Sequence, residues 1–377
     1  MSNISVNGEL NINNSNIKYT DENTFRELSD YQLKKNDLVM CMTDVSKEFG
    51  VVGKTAIIDK DDTYVLNQRV GRIRPNKELD VNFLYYYTNS KYFLNDIYQK
   101  VTGSAQYNLS TADIKQSKIL LPPLPEQQKI AEILSCIDKD IEKTDQIIKE
   151  TEKLKKGLVQ KLLTKGIGHK KFKKTKLGEI PGSWNFVKLN SVCSKITDGT
   201  HKTPKYINEG VPFLRVTDIQ EEKIDWDNVK YISQEEHKEL IRRCRPEIGD
   251  ILLSKNGTVG ITKIVNWDKE FSIFVSLCLI KPKINLIDLE FLNLILNSDL
   301  VMNQIKMRSK QGSVTNLHLE EIRDFTIPLP KKDEQNKITG IILSVNNKIS
   351  INKQIKNKLT ELKRGLMQDL LSGKVRV

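Results

Sequence analysis

Residues 121–134 read LPPLPEQQKIAEIL, and residues 329–342 read LPKKDEQNKITGII. Aligned on Glu126 and Glu334, the two stretches lie 208 positions apart. LKKGLVQKLLTKG (154–166) matches LKRGLMQDLLSGK (362–374) at the same offset, and so does Leu109 with Leu317. Upstream the likeness loosens but persists. TGSAQYNLSTADI (102–114) aligns with QGSVTNLHLEEI (311–322), and GVVGKTAII (50–58) with GTVGITKIV (257–265). KKNDLVMCM (34–42) aligns with EIGDILLSK (247–255), and KYT (18–20) with KYIS (230–233). A repeat on this scale means two copies of one structural unit. Each copy has a divergent first part, suited to reading something different, and a near-identical last part, suited to a shared scaffold. The copies also differ upstream. In the second, 53 residues (177–229) precede KYIS; in the first, 17 precede KYT, so the first copy is about 36 residues shorter there.

Apolar residues step along each matched part. The first row is Ile130, Leu134, Ile137, Ile141, Ile148, Leu154, Leu158 and Leu162. The second is Ile338, Ile342, Val345, Ile349, Ile355, Leu359, Leu362, Leu366 and Leu370. Such a row is one face of a helix. Pro125 suits a first helical position, Asp333 an N-cap, and Gly166 and Gly373 the ends. At ~1.5 Å per residue, helices of about 38 residues span roughly 55 Å. So narrow a stripe on so long a helix needs a partner, and the matched stripes predict one antiparallel coiled-coil seam. The alternative is two separate surface helices on two globular domains. Short β-rich runs (GDILLS, ITKIV, IFVSLCLI) alternate with turns in the variable parts, which predicts mixed α/β domains. Helices are expected over 80–100 and 288–308, with a Ser110/Asp113 capping box opening a helix at 111–117.

The predicted architecture is therefore α+β with a pseudo-twofold repeat: two mixed domains joined by two long antiparallel helices. Its boundaries are a first domain 1–124, a first helix 125–166, a basic linker 167–176, a second domain 177–332, a second helix 333–373 and a tail 374–377.

The chain has 377 residues with 60 Lys+Arg against 48 Asp+Glu, a net charge of +12 that favours polyanionic partners. From Lys153 to Gly178 there are ten lysines and no acid. That segment reads either as a solvated linker or as a phosphate-facing one. No apolar run approaches the ~18 residues of a spanning helix, so no membrane association is expected. The first residues do not read as a secretory signal. Five cysteines without a CxxC pair argue against a disulfide framework and a zinc site, and fit a reducing cytoplasm.

Catalytic patterns are missing. No GxxxxGK[ST] occurs; GVVGK and GTVG read as tight turns. The four histidines are scattered, with no metal-ligand spacing. Pro122-Pro123 stands between leucines, so it is not the D/N-P-P-aromatic motif with which amino-methyltransferases grip a target amine. Asp218, Glu221 and Lys223 come nearest to a nuclease triple, and their spacing is too tight.

These motifs resemble the specificity subunit of a type I restriction–modification system. The resemblance rests on LPPLPEQQKIAEIL with LKKGLVQKLL, and on IPLPKKDEQNKITGIIL with LKRGLMQDLLSGKVRV. VPFLRVTDI, KYIS, GDILLSKNGTVG and QGSVTNLHLEEI match landmarks of a target-recognition domain. Two features depart from the pattern: the first copy lacks a counterpart of WNFVKL to RVTDI, and the second box reads PLPKKDEQ. The resemblance implies a non-catalytic, cytoplasmic core that reads double-stranded DNA, each domain taking one half of a split asymmetric site. The helices would set the spacing and dock two methyltransferase subunits, with motor-nuclease restriction subunits joining for cleavage. S-adenosylmethionine, ATP and Mg would reside on those partners and no cofactor on this chain. Glu126-Gln127 and Glu334-Gln335, repeated at the helix starts, are the expected docking positions. The competing classes are a nuclease or methyltransferase with unrecognised motifs, and a coiled-coil scaffold that binds protein.

Glycine-bearing loops rich in donors are the expected DNA contacts. In the second domain these are Thr200, His201 and Lys202; Ser254, Lys255, Asn256, Gly257 and Thr258; and Arg308, Lys310, Gln311, Gly312 and Ser313. In the first they are Thr43, Asp44, Ser46 and Lys47, then Lys100, Thr102, Gly103, Ser104 and Gln106. Glutamine can pair bidentately with adenine, while lysine holds phosphate without sequence preference. Each loop could equally be an ordinary polar turn.

Overall fold

The computed structural model describes residues 3–12, 18–45, 50–103, 106–175, 178–308 and 316–377, with Arg308 lacking a described side chain. The chain divides into two compact units, Met1–Ile148 with Ile351–Val377, and Lys149–Ser350. Two long helices, Leu124–Lys165 and Lys332–Leu371, contribute one segment each to both units. Asp333 falls inside the first turn of the second helix rather than at its N-cap.

In the first unit, β1 (Leu38–Cys41) is the centre of an antiparallel sheet. β2 (Thr43–Asp44) follows it, and β3 (Thr55–Ile57) and β4 (Val70–Ile73) flank it in the order β3-β1-β4. β2 pairs with β5 (Tyr107–Asn108). The helical run expected over 80–100 is two helices, Val81–Thr88 and Lys91–Lys100, because Ser90 caps the second by accepting from Phe93 N. Phe83, Tyr86, Tyr87, Phe93 and Ile97 pack with Ile130 and Leu134 of the first long helix and Leu370 and Leu371 of the second. The Ser110/Asp113 capping box is present, over Thr111–Gln116.

In the second unit, β6 (Phe172–Thr175) and β7 (Gly178–Pro181) form a hairpin, so part of the expected linker 167–176 is a strand. β8 (Asn185–Lys188) is followed by β9 (Cys193–Asp198). β10 (Val211–Leu214) lies between β11 (Lys230–Ile232) and β14 (Ser272–Ile273). β12 (Ile251–Ser254), β13 (Thr262–Ile264) and β15 (Leu277–Pro282) complete a four-stranded sheet ordered β13-β12-β15-β9. β16 (Thr326–Leu329) pairs with β8. Helices Leu289–Leu296 and Asp299–Arg308 repeat the broken pair of the first unit. Phe291, Ile295 and Ile305 pack with Leu162 and Leu163 of the first long helix and Ile338 and Ile342 of the second.

The repeat is thus structural. β1 corresponds to β12, β3 to β13 and β4 to β15, while among the described residues nothing in the first sheet corresponds to β9. Gly53 and Gly260 both have positive φ (78° and 95°) in the turns after the central strands. An added Cβ would meet Ile97 at 2.9 Å or Met302 Sδ at 2.8 Å. These glycines form tight turns pressed against a helix.

The helix segments run antiparallel in each unit. In the first, Asp145 pairs with Lys356; seven residues back, Asp138 pairs with Lys363, seven residues on, at 2.6 Å. In the second, Ile167 N, just past the first helix, donates to Glu334 at the start of the other. Ile130, Leu134, Ile137, Ile148, Leu162, Ile338, Ile342, Ile349 and Leu370 are buried, and Ile141, Leu158, Val345, Leu359 and Leu366 half-buried. Three expected seam residues are exposed instead: Leu154 (57%), Ile355 (42%) and Leu362 (52%). The reason is register. An alternating 4-3 step from Ile130 passes through Thr144, Thr151 and Lys155, and from Ile338 through Asn352, Lys356 and Lys363. Thr144 and Thr151 are buried on that line, and the three exposed residues stand one position off it. Polar groups at such positions fix register at some cost in stability.

Candidate nucleic-acid interface

A cleft of about 730 Å3 opens in the second unit. Its lining includes Asp198, His201, Arg243, Lys255, Asn256, Asn316, His318, Glu320 and Arg323. One wall begins where β9 ends. An added Cβ on Gly199 would stand 1.9 Å from Ile273 O, so only glycine fits there. Thr200 is stitched on by its N–H to Ile273 O (3.1 Å) and by Val275 N–H to its own carbonyl (2.9 Å). That leaves His201 and Lys202 exposed.

The second wall follows β12. Lys255 N donates to Ser276 O and Lys255 O accepts from Leu317 N (2.9 and 2.7 Å), and Asn256 faces Asn316 in an isolated antiparallel bridge. Two of the three expected loops therefore converge on one cleft. The third falls on Lys310, Gln311, Gly312 and Ser313, which lie outside the described residues, as does the side chain of Arg308. Ser254 is a correction: it is fully buried, and its Oγ accepts from Ile261 N at 2.8 Å, serving the turn. Lys255 is only 5% exposed and pairs with Asp198. Gly257 and Thr258 are exposed beside it. Asn256 Oδ1 is buried without a protein hydrogen bond, a state that costs roughly 1–3 kcal/mol.

The first unit builds the same frame with different side chains. Met42 O accepts from Leu109 N as Lys255 O does from Leu317 N, and Thr43 faces Asn108 as Asn256 faces Asn316. Thr102 exchanges two backbone hydrogen bonds with Asn108 (3.0 and 2.9 Å). Gln106 Nε2 donates to Asn108 Oδ1 (3.2 Å). Gly103 has φ +102°, and an added Cβ would lie 2.1 Å from Gln106 O. Asp44 accepts from Val51 N (2.8 Å). Lys100 is turned to Asp96 (2.6 Å) and Ser117 (2.7 Å), so its ammonium is held within the domain. Ser46, Lys47 and Ser104 lie outside the described residues. Asn108, Asn316 and His318 were not singled out in the sequence, although the alignment of Leu109 with Leu317 places the two asparagines at matched positions. Arg243 and Arg323 carried no local signal.

The Glu-Gln boxes turn inward, against their expected docking role. Gln127 Oε1 accepts from Asp80 N (2.9 Å), and its Nε2 donates to Glu78 O (3.0 Å) and Pro122 O (2.8 Å). Gln335 repeats this with Asp288 N (2.7 Å), Leu286 O (3.1 Å) and Pro330 O (2.9 Å). Both are almost fully buried. Glu126 takes Arg376, and Glu334 takes His169 (2.8 Å), Trp184 Nε1 (2.9 Å) and Ile167 N (3.0 Å). Hydrogen bonds from these donors hold both carboxyls below the usual glutamate value, for Glu334 against the opposing effect of burial. Asp218, the nearest approach to a nuclease carboxylate, is taken by Arg215 (3.1 Å). Among the described residues no cluster of His, Cys, Asp or Glu could hold a metal ion, and no helix is long and apolar enough to cross a membrane.

Duplicated α+β domains, each seated on antiparallel helix ends and each presenting a differently furnished loop frame, define a two-headed recognition protein. The chain belongs to the family of type I restriction modification DNA specificity domains, whose profile matches residues 2–153 and 181–361. It is the non-catalytic, DNA-binding specificity subunit of such a system. It is 29% identical over 311 residues to the type I restriction enzyme MjaVIII specificity subunit of Methanocaldococcus jannaschii, covering 80% of this chain and 72% of that one. To the EcoBI specificity subunit of Escherichia coli it is 26% identical, covering 82% and 68%. The crystal structure of the HsdS subunit from Thermoanaerobacter tengcongensis has the same fold, with TM-score 0.52, 18% identity and coverage of 91% and 82%.

Proposed function

We propose that each unit reads one half of a bipartite, asymmetric double-stranded DNA site. The carrying observation is the paired frame: Thr43 opposite Asn108 in one unit, Asn256 opposite Asn316 in the other. One backbone geometry with different side chains reads two different half-sites. The long helices set the spacing and dock two methyltransferase subunits, which restriction subunits join. Since Gln127 and Gln335 are consumed internally, docking falls to outward helix faces, where Leu154, Ile355 and Leu362 are exposed. S-adenosylmethionine, ATP and Mg belong to those partners. The complex works in the cytoplasm, where reducing conditions suit the buried thiols of Cys41, Cys193, Cys244 and Cys278.

The test is to map methylated adenines in DNA from cells carrying this chain with its methyltransferase partner. The expected motif is split, with two unlike halves. A continuous or palindromic motif would overturn the reading. Methyl transfer by the purified chain alone would favour the enzyme alternative.

A further inference from the structure

Asp198 closes the floor of the cleft, and its side chain is only 3% exposed. Three side chains from separate segments converge on its carboxylate: Arg243 Nη2 at 2.5 Å, His201 Nε2 at 3.2 Å and Lys255 Nζ at 3.3 Å. Arg243 and His201 keep 55% and 63% of their side-chain surface exposed. The acceptor is thus withdrawn, Arg243 and His201 face outward, and Lys255 stays in the cleft wall with its side chain 6% exposed. Arg323 adds a second guanidinium, anchored by Nη2 to Ile196 O at 2.8 Å. Glu320 is the other carboxylate of the lining, exposed on the first turn of helix Leu319–Arg323. Two arginines and a lysine against two carboxylates leave an excess of one positive charge in the lining.

We propose that this cluster is a phosphate clamp: a DNA backbone phosphate seats against Arg243 and Lys255, and Asp198 is a positioning residue that holds them. The proposal rests on the cleft being DNA-facing. A guanidinium has five donors and an ammonium three, so each keeps donors for phosphate oxygens after satisfying Asp198. Side chains already held in place lose less freedom on binding. The clamp belongs to one unit. Met42 stands where Lys255 stands, and among the described residues the first sheet has no counterpart of β9.

The full chain, with its methyltransferase partner, would be titrated by fluorescence anisotropy with a target duplex and a scrambled duplex across a salt series. Arg243→Gln is expected to weaken both duplexes alike, about tenfold, and to reduce the slope of log affinity against log salt by about one. Asn256→Ala is expected to weaken the target alone. Asp198→Asn is expected to weaken both duplexes although the cleft gains positive charge; tighter binding would reduce Asp198 to a counter-charge and overturn its positioning role. If Asp198→Asn fails to fold, Arg243→Gln, which alters an exposed side chain, still decides the clamp. Unchanged binding by Arg243→Gln with a loss in Asn256→Ala would overturn the clamp and leave the cleft at the DNA. No change in either would remove the cleft from the DNA altogether. Titration with inorganic phosphate tests the other source of the same chemistry: micromolar binding would reassign the site to a free anion and overturn the DNA role.

Discussion

The Arg376 guanidinium grips the Glu126 carboxylate through two hydrogen bonds of 2.5 Å. The C-terminal tail thereby ties back to the start of the first long helix. Glu334 is held likewise by Ile167, His169 and Trp184. In both places the residues just past one long helix secure the first turn of the other. Arg376→Ala should lower the unfolding midpoint near neutral pH. Glu126 titrates below its ordinary value of 4.5 because Arg376 bonds its charged form. Its contribution is therefore present above that pH and is lost as pH falls through the depressed value. Melts from pH 6 to pH 3 should show the gap between parent and mutant closing on the acid side; a constant gap would refute the linkage.

Gln127→Ala and Gln335→Ala each strip three hydrogen bonds from a buried site, so each should cost about 1–3 kcal/mol in denaturant unfolding. Gln335→Glu should be no better than alanine at neutral pH, because a carboxylate oxygen would replace the Nε2 that donates to Leu286 O and Pro330 O. A mutant with parental stability would contradict the internal role.

The helix seam separates two kinds of apolar residue. Ile349→Ala removes a buried side chain and should cost about 2–5 kcal/mol. Leu154→Ala and Leu362→Ala remove exposed ones and should stay within about 0.5 kcal/mol. Comparable losses in all three would mean that the seam runs along the other register.

Gly199→Ala would place a Cβ 1.9 Å from the Ile273 carbonyl oxygen. Backbone must shift, so stability should fall by about 1–3 kcal/mol and DNA affinity should fall with it. Gly257→Ala meets only Val216, at 3.9 Å, and pays for positive φ alone, about 1–2 kcal/mol. Equal effects in urea melts would show that the Gly199 turn is not constrained by Ile273.

Much of the fold is legible because its signals are local. Ser110 and Asp113 lie three residues apart and form the capping box their spacing announces. The glycine pairs sit between short strands and make turns. The match of Glu126 to Glu334 and of Leu109 to Leu317 reveals a repeat that the central sheets reproduce, β3-β1-β4 in one unit and β13-β12-β15 in the other. The helix rows were read correctly as far as Ile148 and Ile349. Beyond them, the apolar Leu154, Ile355 and Leu362 stood in for their neighbours Lys155, Lys356 and Lys363, because hydrophobicity is a poor guide where a seam is polar.

The amino-acid sequence by itself determined the duplication, the two long helices, the mixed domains and the family, since each depends on residues within a few turns of one another or on two copies that can be compared. The tertiary structure alone decided what the conserved-looking boxes do and where the cleft lies. Gln127 and Gln335 read as surface motifs until their amide oxygens are seen to accept from the backbone N–H groups of Asp80 and Asp288, 47 residues away. Asp198 gathers Arg243 and Lys255 from 45 and 57 positions downstream. Such meetings leave no periodic trace along the chain, because the sheet order, and not the spacing, brings the groups together.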